Sequence, residues 1–352
     1  MADKTDIKSL NFNELKAEME AVGEKPYRAD QIYGWMHQKY ARGFQEMSNL
    51  PKALRASLEE RYDCLCLEAV SIQRSKLDGT CKYLFALPDG QMVESVLMHY
   101  RHGNSVCISS QAGCRMGCRF CASTIGGLAR NLTASEMLDQ IYMISMDTGE
   151  RVSNVVVMGT GEPLDNFDNL VRFISMLGDE RGPGISLRNI TVSTCGIVPG
   201  IRRLAEYKLP ITLALSLHAP DQAKRAQIMP VAKKYSLDDV MDACIYYHEM
   251  TGRRMTLEYS LIRGFNDTPE DVIGLAGLAR RLGAHVNLIP VNPVGERPYK
   301  SPGTAAVTSF KNKLEKSGIN VTIRREMGRD IDGACGQLRR RYAEEKSISP
   351  ED

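Results

Sequence analysis

Between residues 104 and 290 the chain alternates short apolar runs with amphipathic stretches, and this alternation constrains the fold more than any other feature. Strand candidates recur at 105–109, 154–158, 189–193, 211–217, 255–261 and 285–290. The intervals carry helix signals. Thr133 and Glu136 are spaced as a capping box. Ser236 precedes Leu237, Val240, Met241, Cys244 and Ile245 on one helical face. Thr268-Pro269 opens another helix that ends near Gly283. Strands separated by helices predict a parallel α/β sheet. Six units fall short of eight, so a partial six-unit TIM-like barrel is expected, with an open doubly wound sheet as the alternative. A further helix (304–317) and strand (319–325) follow. In such folds the chemistry collects at the C-terminal ends of the strands.

The flanks read differently. Residues 1–62 show helical spacing at 13–21, 28–38 and 51–60, and predict a small N-terminal helical domain whose single tryptophan, Trp35, packs in a core. Residues 63–103 predict a β-hairpin extension, with runs at 81–87 and 91–97 joined by the turn Pro88-Asp89-Gly90. The core barrel then takes 104–335, and 336–352 form a tail. A chain of 352 residues with 43% hydrophobic content can bury a large core. A net charge of +2 is not the overall basicity of an obvious nucleic-acid binder, although a local patch needs none. No apolar leader or membrane-length run is seen, so the ten cysteines are expected reduced, in the cytoplasm.

Three of those cysteines stand as Cys114, Cys118 and Cys121 just after the first strand candidate. A four-iron cluster takes four cysteine ligands, so three leave one iron open to another molecule. Zinc is the competing reading. It would want a fourth cysteine or histidine close by, and the nearest downstream histidine is His218. The spacing resembles that of the radical S-adenosylmethionine (SAM) superfamily. That resemblance implies a [4Fe–4S] cluster on Cys114, Cys118 and Cys121, whose open iron receives SAM.

Other candidates also follow strand ends. Met158-Gly-Thr-Gly-Glu-Pro163 resembles the superfamily's loop for the SAM ammonium, placing Gly161 and Glu162 there; Thr160 stands where related families usually have methionine. Ser193, Ser216, Leu217, His218 and Asn292 resemble further SAM-contacting positions, with polar groups suited to ribose, carboxylate or adenine edges. Each taken alone reads first as loop capping. Cys64, Cys66, Cys81, Cys195 and Cys244 read as small buried hydrophobes. Cys107 and Cys335 differ, because of the strings around them.

With those strings the chain resembles the radical SAM RNA methyltransferases that methylate an adenine ring carbon, over nearly its whole length. The match runs through residues 23–30, 107–121, 130–133, the Gly-Glu-Pro loop, 216–220 and 330–338. The amino-terminal Gly-Glu-Lys-Pro-Tyr-Arg-Ala-Asp string favours the dual-specificity subfamily acting on adenine C2 of 23S rRNA, in the peptidyl-transferase centre, and of tRNA, 3′ of the anticodon. The resemblance implies two SAM molecules per turnover and a methyl first placed on Cys335. It also implies a covalent RNA adduct, Glu94 as the proton acceptor, and release by Cys107 with a disulfide left behind. From pattern alone Glu94 is a solvent-facing strand residue. Reduced ferredoxin or flavodoxin is the implied electron donor, and a monomer is expected. Arg339-Arg340-Arg341 reads as a phosphate contact or a solvated helical face. The alternatives are a C8-methylating relative linked to antibiotic resistance and a non-catalytic iron–sulfur RNA-binding or redox protein.

Overall fold

The computed structural model describes residues 4–292, 294–333, 336–339, 341 and 342. Helices α1 (Phe12–Ala21), α2 (Tyr27–His37) and α3 (Lys52–Arg61) open the chain, within two residues of expectation. Asn11 starts α1 by accepting from Glu14 N while Glu14 accepts from Asn11 N. Leu15, Ile32, Tyr33, Met36 and Leu58 belong to the same apolar core as the barrel strands. The N-terminal helices therefore pack onto the barrel with no separate core. Trp35 is only half buried, and its Nε1 donates to Asn49 at 2.6 Å. The seam is fixed by α4 (Ala134–Thr148): Lys8 pairs with Asp139 at 2.9 Å, both nearly inaccessible, and His37 Nδ1 meets the Tyr142 hydroxyl at 2.9 Å.

Ten strands form one sheet in which each pairs with its neighbour in sequence. They are β1 (Glu68–Arg74), β2 (Cys81–Ala86), β3 (Met92–Tyr100), β4 (Gly103–Ile108), β5 (Val152–Val157), β6 (Ile190–Thr194), β7 (Thr212–Ser216), β8 (Thr256–Leu261), β9 (His285–Pro290) and β10 (Val321–Ile323). The first four run antiparallel; β4 to β10 run parallel. All six expected core strands are present, β10 adds a seventh, and the sheet stays open between β1 and β10. The hairpin is not an appendage: β3 pairs with β4 through Val96 opposite Cys107 and covers what would be an exposed sheet edge.

Helices connect the parallel strands: α5 (Phe167–Gly178), α6 (Val198–Glu206), α7 (Gln222–Ile228), α8 (Leu237–Thr251), α9 (Pro269–Leu282) and α10 (Thr304–Lys316). Reciprocal capping boxes start α4 (Thr133, Glu136), α8 (Ser236, Asp239) and α9 (Thr268, Asp271). Among the described residues no helix is long and apolar enough to cross a membrane.

The hairpin also grips the tail. The β1–β2 connection binds the segment before Cys335: Ser75 Oγ donates to Asp330 at 2.6 Å, Gly328 N to Asp78 at 2.9 Å, and Gln73 exchanges two bonds with Asp332.

Candidate active site

The C-terminal ends of β5 to β9 open onto one cleft of about 250 Å³. Cys114, Cys118 and Cys121 line it, as do Gly161, Glu162, Ser193, Ser216, His218 and Asn292. Thus nine of the thirteen sequence-chosen residues meet in one place. Leu217 does not: its side chain is fully buried in the core, and its backbone N–H donates to Glu258 O. Cys107 and Glu94 lie outside the cleft wall. Cys335 lies outside the described residues, as do Pro293 and Arg340.

The cysteine loop is held open. Cys114 N donates to Gly127 O, Arg119 N to Ile228 O, and Thr124 Oγ1 bonds the carbonyls of Cys118 and Cys121. Burial pushes the Cys114 thiol up to about 12 and Cys118 also upward; the charge of Cys121 adds to both, and that of Cys114 to Cys118. Metal loading therefore has to release protons. Among the described residues no group of three His, Cys, Asp or Glu converges tightly enough to hold a single metal ion. Three soft donors brought to one wall by a single short loop suit a cluster in which each thiolate takes a different iron, while the fourth cysteine of the cleft, Cys195, stands on a separate strand end.

The next loop approaches closely. Gly161 has φ +112°, and a Cβ there would lie 2.7 Å from Gln111 Cβ and 2.8 Å from Gln111 N, so glycine is required. Glu162 is 3% exposed. Its N–H donates to Gln111 Oε1, and its carboxylate accepts from Cys195 N at 2.7 Å and Leu164 N at 3.1 Å. Burial raises its pKa while these donors pull it down. A buried carboxylate at the cleft wall favours a cationic ligand group.

Opposite it, His218 sits in the left-handed region at φ +57°, held by Asn266 Nδ2 on its carbonyl at 2.7 Å. Ser260 N donates to His218 Nδ1 at 2.9 Å, so the neutral ring carries its proton on Nε2. Burial, then the charge of Arg225, lowers its pKa to about 3. The ring stacks edge-on to Phe120, linking the cysteine loop to β7 and β8. Ser193 and Ser216 touch at 3.2 Å between hydroxyls.

The tail reaches this cleft. Gln337 lines it. Gly336, with φ +79°, packs so closely on the cysteine loop that a Cβ would lie 2.9 Å from Ala122 Cβ. Glu94 holds this stretch: Oε2 accepts from Gly336 N at 2.5 Å and Oε1 from Arg339 N at 2.7 Å, while Lys82 pairs with it at 3.0 Å. Glu94 is thus buried, not solvent-facing, because the tail covers its face of β3. Cys107 packs with Val96 and Met98, beside Met158 of the cleft wall and Met327 of the tail. Arg341 pairs with Asp332 at 2.8 Å.

The chain is similar to known proteins over nearly its whole length. The Radical SAM superfamily model matches residues 108–276, and the ribosomal RNA large subunit methyltransferase N-terminal domain matches 5–63. A probable dual-specificity RNA methyltransferase RlmN from Lachnospira eligens is 63% identical, covering 97% of both chains; one from Clostridium perfringens is 47% identical over 97% of this chain and 99% of its own. The chain belongs to the RlmN family. A radical SAM methyltransferase from Sphaerobacter thermophilus superposes with TM-score 0.90 at 41% identity, covering 95% of this chain and 98% of that one. The chain is therefore a radical SAM RNA methyltransferase, and RlmN membership implies SAM, a [4Fe–4S] cluster and an RNA substrate.

Several wall residues escaped sequence reasoning. Glu258 and Ser260 of β8 face the cleft, Glu258 bonded to Asn287 at 2.9 Å, and Arg324 closes the far side. A glutamate inside the apolar run Thr-Leu-Glu-Tyr-Ser-Leu was the available signal for this part of the RlmN cleft.

Proposed function

We propose that this RlmN-family enzyme methylates C2 of adenine in 23S rRNA, at the peptidyl-transferase centre, and in tRNA, 3′ of the anticodon. The observation that carries the reading is the tail: Gly336, the residue after Cys335, rests on the cluster loop, and Gln337 lines the same cleft. A methyl-carrying thiol is expected beside a SAM site, and the flanking residues support Cys335 in that role.

The bound cluster and SAM, two molecules per turnover, would supply the methyl group and the radical chemistry that an electron-poor C2 carbon demands. The protein's part is to hold and move groups around them. Cys114, Cys118 and Cys121 would hold the cluster. Gly161 and Glu162 suit the SAM ammonium, and Ser193, Ser216, His218 and Asn292 its carboxylate, ribose and adenine edges; Leu217 contributes backbone only. Cys107, packed against Met327 of the tail, suits release of product by attack on the Cys335 sulfur, which leaves a disulfide. Glu94 anchors the tail with both oxygens; as proton acceptor it would have to give up one of these donors. The target adenine would be drawn from its stack to reach the cleft. A reduced ferredoxin or flavodoxin suits the electron supply, a monomer in the cytoplasm the assembly.

The test is nucleoside mass spectrometry of rRNA and tRNA from cells lacking and regaining the gene. Restored 2-methyladenosine in both fractions is expected. Restored 8-methyladenosine would assign the C8 reaction instead, and no change in either would refute adenine methylation.

A further inference from the structure

Arg225 of α7 is fully buried, yet among the described residues no carboxylate pairs with it. Its Nη2 donates to the carbonyls of Cys195 at 2.6 Å and Ser216 at 3.4 Å, its Nε to Leu217 O at 3.2 Å, and Nη1 is buried with no partner. Arginine is rarely buried unpaired, and it does not shed its proton. A positive charge is therefore fixed inside the molecule with carbonyl dipoles but no anion to match it.

Its position is specific. Arg225 sits on the helix that braces the cysteine loop: Ile228, at the end of α7, accepts from Arg119 N, and Ile228 and Met229 pack in one apolar cluster with Cys118 and Cys195. Pro230 lies against Gly117. Burial works against the guanidinium's charge, and the sulfurs of Cys195, Cys118 and Cys244 favour it only when ionised, as a metal-bound Cys118 would be. Glu162 lies on the other side of Cys195, accepting that residue's N–H while Arg225 donates to its carbonyl. If Glu162 meets the SAM ammonium, its charge is matched and that of Arg225 is left over.

We infer that Arg225 is a built-in counter-charge for the iron–sulfur cluster, easing the cluster's one-electron reduction from beneath the cysteine loop; this rests on the cluster reading of Cys114, Cys118 and Cys121. Three thiolates leave the cluster net negative, and reduction adds a further negative charge to it. A fixed cation in a low-dielectric wall favours the reduced form, as net charge does for such clusters generally.

The experiment is a redox titration of the cluster in the full-length enzyme, followed by electron paramagnetic resonance with and without SAM. Arg225→Gln should disfavour reduction about tenfold or more, equivalent to about 59 mV for one electron. Arg225→Lys, which keeps the charge, should stay close to the wild type. Cys244→Asp offers Arg225 a buried carboxylate without altering the cleft, and should shift the equilibrium in the same direction as Arg225→Gln. Unchanged potentials in Arg225→Gln or Cys244→Asp would overturn the inference. So would an Arg225→Lys protein as hard to reduce as Arg225→Gln, because tethering would then matter and charge would not. An unchanged potential with weakened SAM binding would assign the charge to the SAM carboxylate and also overturn it. A wild-type protein that takes up no cluster would instead sink the cluster reading, and the inference with it.

Discussion

Glu94 offers the sharpest test of how the tail is held. Its carboxylate is 4% exposed and accepts from Gly336 N and Arg339 N while paired with Lys82, whose side chain is fully buried. Hydrogen bonds to a charged acceptor contribute roughly 1.5–3 kcal/mol each. Glu94→Gln keeps one acceptor oxygen and turns the other into a donor, so at least one of the two N–H groups loses its partner. Local opening of residues 336–339 should then become easier by about that amount, which is roughly ten- to a hundredfold faster amide exchange at Gly336 and Arg339.

Glu94→Gln alone also strips the buried Lys82 ammonium of this carboxylate, and breaking a buried pair from one side costs roughly 3–5 kcal/mol. The double variant Glu94→Gln/Lys82→Met removes both charges. It should recover most of the global stability while the tail still exchanges fast, because the lost bonds are local to the tail. Hydrogen–deuterium exchange over peptides spanning 328–342 reads this directly. Protection at Gly336 and Arg339 unchanged in the double variant would refute the anchoring argument. If RNA methylation then still collapsed, Glu94 would be acting on the substrate.

Cys335→Ala should abolish methylation of the protein, read by intact mass after incubation with SAM; a methylated RNA product from that variant would refute the carrier role. Cys107→Ala should accumulate a covalent RNA adduct visible as a retarded protein band, and its absence would refute the resolving role. Replacing any one of Cys114, Cys118 or Cys121 by alanine should remove the brown cluster absorption, and retained absorption would exclude that ligand. Stability should fall on acidification through buried histidine. Burial lowers the pKa of His37 to about 3, below the 6.5 of the unfolded chain, so its contribution is whole above pH 6.5 and is lost as pH falls towards 3, about 2 kcal/mol by pH 5. His37→Gln should flatten that limb of the denaturant midpoint against pH, and an unaltered limb would refute the assignment.

What could be read from sequence was local. Capping boxes at Thr133, Ser236 and Thr268 and the apolar strand runs depend on residues a few positions apart, and their elements appear within a few residues of expectation. The cleft followed too, because strand ends in a parallel sheet converge. Glu94 shows where this stops. Alternation puts it opposite Val93, on a face that should meet solvent, yet Glu94 is as buried as Val93 and Ser95 on the other face, because a segment more than 240 positions later covers it. Arg225 is similar: in Ala-Lys-Arg-Ala-Gln it looks like any solvated helix position, and only the carbonyls of Cys195, Ser216 and Leu217 give it a buried place. Leu217 shows the opposite case: its neighbours Ser216 and His218 line the cleft while its own side chain is buried in the core.

The two grips on the tail are unequal, and the difference says where it can move. Before Cys335, the contacts of Ser75, Lys76 and Asp78 with Asp330 and Gly328 are exposed or partly so, and water weakens such bonds relative to buried ones. After Cys335, the Glu94 contact is buried and charge-assisted. Release should therefore begin on the 328–332 side and pivot about Gly336, which keeps the tail on the cluster loop through Ala122 while its leading half lets go. On the proposed mechanism a carrier thiol at Cys335 would have to meet SAM, an adenine and Cys107 in turn, and a segment anchored firmly after that residue and more weakly before it would allow such a change of partners.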